Sequence, residues 1–200
     1  MTRARDVANI DGLLTTTGDT YYASAAGTPA RLGVGTTGQV LSVSGGIPAW
    51  ATPSTPTFSG VYCGGTTGQI VNATTQTILT WDLEVYDTDS YHSTVTNTGR
   101  ITIPSGKAGY YLVTLCMNYA ANANTGHRTL YLVKNGTIYL NGGESTTGNS
   151  SVSTATVYSM IVNLAVGDYI TAEAYLGATM NVGKDATYPA SYFQAQYLGA

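Results

Sequence analysis

Two histidines, His92 in DTDSYHS and His127 in NTGHRT, are the only near-neutral bases in this chain. Both sit among Asp, Asn, Ser, Thr and Gly, the residue types of turns. A base does covalent chemistry only beside an activated nucleophile. Neither stretch carries a nucleophile elbow, a phosphate loop or a metal-ligand cluster. Asp87 and Asp89 are spaced to share a cation, but a solvated loop is the simpler reading. Glu173 would form a carboxylate ring if three copies met around an axis. Cys63 and Cys116 lie far apart in no metal or redox spacing and read as free thiols. No catalytic residue, cofactor or metal ligand is assigned, and the chain reads as a non-enzyme.

The rest of the composition agrees with a structural role. Only 10% of the 200 residues are charged, against about 25% in ordinary domains. A net charge of −3 gives no electrostatic reason to bind nucleic acid or an anionic membrane. No run is long enough to span a bilayer. MTRARDVANIDGLL lacks the apolar stretch of a signal peptide, so synthesis and persistence in a reducing cytosol are expected. Among aromatics, 16 Tyr stand against 2 Phe and 2 Trp. Tyrosine suits half-buried sheet and subunit seams.

From residue 58 onward the pattern is that of short strands. GRITIP places Ile101 and Ile103 on one face. AGYYLVTLCMNYAA sets Tyr111, Val113, Leu115, Met117 and Tyr119 against Tyr110, Leu112, Thr114, Cys116 and Asn118. Both sets are substantially apolar, which predicts a central strand covered on both sides. Asn135-Gly136 divides two alternating runs and predicts a two-residue hairpin turn. TVYSMIVNLAVGDYITAEAYLG breaks at Gly167-Asp168, and ASYFQAQYLGA closes the chain. TILTWDLEVYD reads as one strand with Ile78, Trp81, Leu83 and Val85 inward. Many short strands with regular turns predict a β-sandwich.

Residues 1–57 differ. Thr2 caps a possible helix over 1–14, with Val7, Ile10 and Leu14 on one face. Residues 15–57 hold too few large apolar side chains for a core, so an extended arm ordered by a partner is expected. ATPSTPTFSG (51–60) reads as a linker.

Two resemblances follow. GKAGYYLVTLCMNY resembles the Gly-x-Tyr strand of the complement C1q globular-head family, whose jelly roll is shared with tumour necrosis factor. LYLVKNG, NLAVGDYITAEAY and SYFQAQYLG resemble that family's later strands, in its order. Val113 where the family usually has Phe, and Phe193-Gln194-Ala195 for Phe-Ser-Gly, depart from it. Residues 2–51 resemble segments of tailed-phage fibre and other virion surface proteins, which read Ala-Arg-Asp-x-Ala-Asn, Gly-Asp-x-x-Tyr-Ala and Gly-Gln-Val-Leu.

Together these imply an all-β, C1q/TNF-like jelly roll over 58–200 behind a virion-attachment arm over 1–57, assembled as a homotrimer on a virion surface. Arg3, Arg5, Val7, Ile10, Leu14, Tyr21, Tyr22, Leu32 and Trp50 are the candidate attachment residues. Tyr110, Leu112, Tyr169, Tyr175 and Tyr192 are the candidate trimer interface. The expected partners are further copies of the chain and a major capsid or other virion protein. A host surface glycan, met by Tyr86, Tyr91 and Tyr188, is the alternative. Capsid decoration and a short head or tail fibre are the competing placements.

GTTGQ occurs twice, at Gly35–Gln39 and Gly65–Gln69, each time leading to one of the two tryptophans, Trp50 and Trp81. Little aligns beyond the fifth residue, so shared turn chemistry is expected rather than duplication.

A strand with two apolar faces has more to hide than one sandwich can cover. Closed symmetry hides the second face without leaving an open edge. A chain reduced to residues 61–200 is therefore expected to sediment as a trimer at micromolar concentration, with little dependence on salt; a clean monomer contradicts this.

Overall fold

The structure, a computed structural model, describes residues 12–54, 57–121, 126–145, 154–183 and 190–200. Arg3, Arg5, Val7, Ile10, Tyr188 and nearly all of the expected helix lie outside them. All regular elements among the described residues are strands. The chain divides into two compact units, Met1–Thr57 and Phe58–Ala200.

In the first unit the sequence predicts an extended segment, but two hairpins are found. Strands β1 (Thr20–Ala25) and β2 (Thr28–Leu32) form one; β3 (Val40–Ser44) and β4 (Ile47–Ala51) form the other. Turn chemistry rather than core burial makes them. Gly45 and Gly46 have φ of 59° and 84°, the left-handed pair that a two-residue hairpin turn requires. Asp19 supplies a polar hub. Its carboxylate accepts the backbone N–H groups of Thr15, Thr16 and Val34, and pairs with Arg31 Nε at 2.7 Å. The Arg31 guanidinium and those N–H groups hold its pKa well below the usual range. Leu14, Tyr21, Val40, Leu41 and Val43 remain exposed, in keeping with the absence of a core.

The second unit is a sandwich of two antiparallel sheets. One runs β13 (Thr154–Leu164), β10 (Gly109–Tyr119), β16 (Tyr192–Gly199), β5 (Gly60–Gly64) and β8 (Leu83–Asp87). At its far end β10 exchanges β16 for β15 (Met180–Gly183), which pairs β6 (Gln69–Val71). The other sheet runs β12 (Thr137–Ser145), β11 (Arg128–Lys134) and β14 (Tyr169–Leu176); β7 (Thr77–Ile78) and β9 (Arg100–Thr102) share the far edge of β14. Alternation fills the space between. Tyr111, Val113, Leu115, Met117 and Tyr119 of β10 are fully buried with Val162, Leu164, Phe193 and Ala195. Leu130, Leu132, Ile170, Ala172, Ala174 and Leu176 join them from the other sheet.

The run 77–87 does not form the single strand predicted. Leu79 N–H donates to Ala172 O and Trp81 N–H to Thr98 O as the chain crosses between sheets. Leu79 and Trp81 are therefore buried, while Ile78 and Val85 turn outward.

The predicted Asn135-Gly136 turn is present, with φ of 50° and 76°. It is tied to the Gly167-Asp168 turn. Asn135 Nδ2 and Lys134 Nζ donate to the Asp168 carboxylate at 2.7 and 2.8 Å, and Tyr169 N–H donates to Asn135 Oδ1. Lys134, Asn135 and the Ala165 N–H lower the Asp168 pKa from 3.8 to about 2. A depressed carboxylate stabilises the fold above its unfolded value, and that contribution is lost as pH falls through the folded value. Asp168→Asn is thus expected to flatten the stability profile between pH 3.8 and about 2, read by denaturant titration at each pH.

Candidate functional site

The outer face of the first sheet carries several exposed apolar side chains on regular strands. Tyr110, Leu112, Thr114 and Cys116 point outward from β10. Register sets Leu112 beside Ile161, Thr114 beside Ser159 and Cys116 beside Val157 of β13. On the other edge they meet Gln196, Gln194 and Tyr192 of β16, and Gln194 in turn meets Tyr62 of β5. Tyr110, Val157 and Ile161 are 49%, 54% and 59% exposed, the last two on β13 at the border of the sheet. An aromatic chain crosses the strands: Phe58 meets Tyr86 at 5.3 Å, Tyr86 meets Tyr62 at 5.9 Å and Tyr62 meets Tyr192 at 5.1 Å. No charged side chain interrupts these positions. The face is uncharged but mixed: Thr114, Ser159, Gln194 and Gln196 lie between the apolar group of Tyr110, Leu112 and Ile161 and that of Val157, Cys116 and Tyr192, and exposed apolar groups of this kind suit an interaction surface. The expectation that β10 is covered on both sides holds in part: its inward side is fully buried, Thr114 and Cys116 on its outward side are buried as well, and Tyr110 is left exposed with Leu112 half-buried.

The five candidate interface residues divide between the sheets. Tyr110, Leu112 and Tyr192 share the face just described. Tyr169 and Tyr175 lie on β14 of the other sheet, half-buried, so one sheet face cannot hold all five. Alternation along β14 identified them as outward but could not identify which sheet they belonged to. Phe58, Tyr62, Tyr86, Val157 and Ile161 were missed, because cross-strand register is absent from a single run of sequence. Of the attachment candidates that are described, Leu14, Tyr21, Tyr22 and Leu32 are dispersed over the first unit. Trp50 lies half-buried against Gly35 and donates from Nε1 to Gly33 O at 2.7 Å. A Cβ on Gly35 would come within 2.6 Å of that indole.

The two GTTGQ segments do different work. Gln39 Oε1 accepts the Thr36 N–H and closes its own turn. Gln69 reaches Thr80 and Ile78, and Thr66 donates to Asp82.

The titratable groups are engaged. Asp87 accepts the backbone N–H groups of Asp89, Tyr91 and His92. Asp89 accepts from the Ser59 and Thr88 hydroxyls and pairs with Lys107 at 3.1 Å; these contacts, Ser59 foremost, lower its pKa. Neither aspartate presents a bare carboxylate to a shared cation. Glu173 accepts from Gln76 Nε2 and Thr171 Oγ1 on the second sheet. Among the described residues no three His, Cys, Asp or Glu side chains gather as metal ligands. Cys63 faces the core and Cys116 the opposite face of the same sheet, so register forbids their pairing; burial pushes both thiols up. Tyr91 is buried and hydrogen bonded to Ser59 and Tyr111, which removes it from the proposed glycan-facing set.

His92 Nδ1 donates to Glu84 Oε1 at 2.8 Å, and Nε2 faces Thr98 O at 3.0 Å. Its ring is fully buried and bridges strand to loop rather than facing substrate. The second sheet holds a groove of about 470 Å³ beside this loop, where Arg100 lies 5.0 Å over the Tyr169 ring.

These sheets define the second unit as a jelly roll of the tumour necrosis factor and C1q type. No family model matches the sequence, and no curated protein matches it. Among solved structures, murine APRIL is similar at TM-score 0.52 and 11% identity, over 71% of this chain and all of that one. The globular domain of zebrafish complement 1qA matches at 0.52 and 14%, over 71% and 98%. Eiger TNF from S. frugiperda matches at 0.50 and 12%, over 71% and 93%. At such identities the likeness establishes the fold alone.

His92→Ala removes a fully buried ring and its contacts to the half-buried Glu84 carboxylate and the Thr98 carbonyl, and is expected to cost about 1–3 kcal/mol in denaturant unfolding, with oligomeric state unchanged.

Proposed function

We propose that this chain is a homotrimeric structural protein of a tailed-phage virion surface, with its jelly roll projecting and its first unit attached to the particle. The observation that carries the reading is the uncharged outer face of the first sheet, where Tyr110, Val157 and Ile161 stand exposed beside Leu112 and Tyr192. Leaving that face in water is unfavourable by roughly 25 cal/mol per Å² of apolar area. Permanent subunit interfaces commonly bury about 2,000–5,000 Å² and resemble a core cut in half. Cyclic symmetry is the arrangement that covers such a face in every copy. The resemblance of residues 2–51 to virion segments supports the placement. The engagement of both Asp87 and Asp89, and of His92, supports a role other than catalysis.

Within that role we favour capsid decoration, in which the first units spread over neighbouring capsid subunits and clamp them. The hairpins of that unit support this, because they offer short exposed edges and apolar side chains such as Val43 and Leu41. The second reading is a short head or tail fibre that meets a host glycan. An accessible groove on the other sheet, lined by apolar Ile78 and Val95 together with Asn97, Arg100 and Tyr169, favours it.

Ile161→Glu places a charge in the proposed seam and is expected to shift the protein from trimer to monomer in sedimentation; an unchanged trimer removes this face from the interface. On purified particles, decoration predicts hundreds of copies by quantitative mass spectrometry and loss of heat resistance on deletion. A handful of copies with lost adsorption instead identifies a fibre.

A further inference from the structure

We infer that the groove between the 90–99 loop and the end of β14 is a binding site for a carboxylated sugar residue, with Arg100 receiving the carboxylate. Arg100 lies on β9 opposite Thr171 and is half-buried. Its guanidinium lies over the Tyr169 ring, so the ring holds it in place while its N–H edge stays available. Among the described residues no side chain or carbonyl accepts from that edge and no carboxylate pairs with it. The contrast with its neighbours is sharp. Arg31 is paired with Asp19, Lys107 with Asp89 and Lys134 with Asp168.

The lining matches an amphipathic ring that bears one negative charge. Arg100 borders both the groove of about 470 Å³ and an adjoining hollow of about 180 Å³. The groove's size falls in the range of small-ligand sites, about 300–1,000 Å³. Asn97, Thr98 and Thr171 offer amide and hydroxyl groups on the groove side, and Ser90 and Thr102 do so in the hollow. Thr171 donates to Glu173, so it meets a ligand as an acceptor of sugar hydroxyl protons. Exposed Ile78 and Val95 supply apolar wall for the C–H face of a ring. A phosphate would ask for a second cation or converging backbone amides. A single guanidinium suits a carboxylate bound edge to edge.

The backbone is shaped to make this place. Ser90 and Asn97, non-glycine residues, hold φ of 61° and 53°, a left-handed conformation that gathers at functional sites. Gly99 lets the loop lie flat on the groove floor, where a Cβ would come within 2.5 Å of the Ile78 side chain and 3.0 Å of Leu79 O. The buried His92 bridge pins the same loop from beneath. The groove belongs to the sheet opposite the apolar face, so the site remains open when that face is covered. It also stands independently of where the protein sits on a particle.

The test titrates the full chain at low salt with glucuronic acid and, separately, N-acetylneuraminic acid, followed by ligand-observed NMR and calorimetry. Glucose and acetate are the controls for ring and charge alone. At least one acidic sugar is expected to saturate, with glucose and acetate weaker by roughly tenfold or more, as loss of one charge-assisted hydrogen bond implies. Arg100→Gln is expected to weaken binding roughly ten- to hundredfold with unchanged sedimentation and thermal midpoint. Arg100→Lys keeps the charge without the planar fork and should fall between; it also serves if Arg100→Gln does not fold. Equal binding of glucose and glucuronic acid, absence of saturation by either acidic sugar, or full retention of affinity in the folded variants overturns the proposal. None of these outcomes bears on trimer formation or copy number, which are read by separate measurements.

Discussion

A sandwich has one interior, and β10 carries apolar side chains on both of its faces. Most of the second unit follows from that mismatch. The inward set from Tyr111 to Tyr119 meets β14 and β11 across the core and is fully buried. The outward set has only the aromatic chain from Phe58 to Tyr192 and the β13 residues Val157 and Ile161 beside it. The strands that form the other sheet are committed to the inner face and cannot cover this outward set. The exposed part of that surface is what the proposed trimer would cover.

With so few charges, Asp19, Asp87 and Asp168 are used as local clamps. Asp19 gathers three backbone N–H groups and Arg31; Asp87 gathers three N–H groups; Asp168 joins two turns to Lys134. Charge-assisted hydrogen bonds to backbone N–H groups are strong for their size, and they replace apolar burial where loops have none. This accounts for the hairpins of the first unit. A segment poor in large apolar residues still acquires defined local structure when glycines permit the turns and one carboxylate ties their ends. Arg100 is set apart by this economy, for it is held in place by an aromatic ring and meets no described carboxylate.

The legible part of the fold was what depends on near neighbours in sequence. Period-two alternation marked β10, β13 and β14. Asn135-Gly136 announced its turn through the left-handed geometry both positions need. The crossing at Leu79–Asp82 was not legible, because an interrupted alternation looks the same whether a strand bulges or leaves its sheet. Tyr169 and Tyr175 were placed outward, but on which sheet was not legible, since the side a strand shows to solvent does not tell which of two sheets it joins. The two GTTGQ segments make the same point: one pentapeptide closes its own turn at Gln39 and reaches a different segment at Gln69.

By itself the sequence determined an all-β unit after residue 58, its principal strands, its hairpin turn, and an excess of apolar surface over what one core can take. These are properties of spacing and of side-chain chemistry, which each short window carries. Only the tertiary structure decided that β10 borders β13 on one side and β16 on the other, that Phe58, Tyr62, Tyr86 and Tyr192 therefore form one surface, and that Arg100 comes to rest on Tyr169. Those contacts join residues far apart along the chain, and backbone hydrogen bonding between strands, which is nearly indifferent to side-chain identity, sets which of them meet.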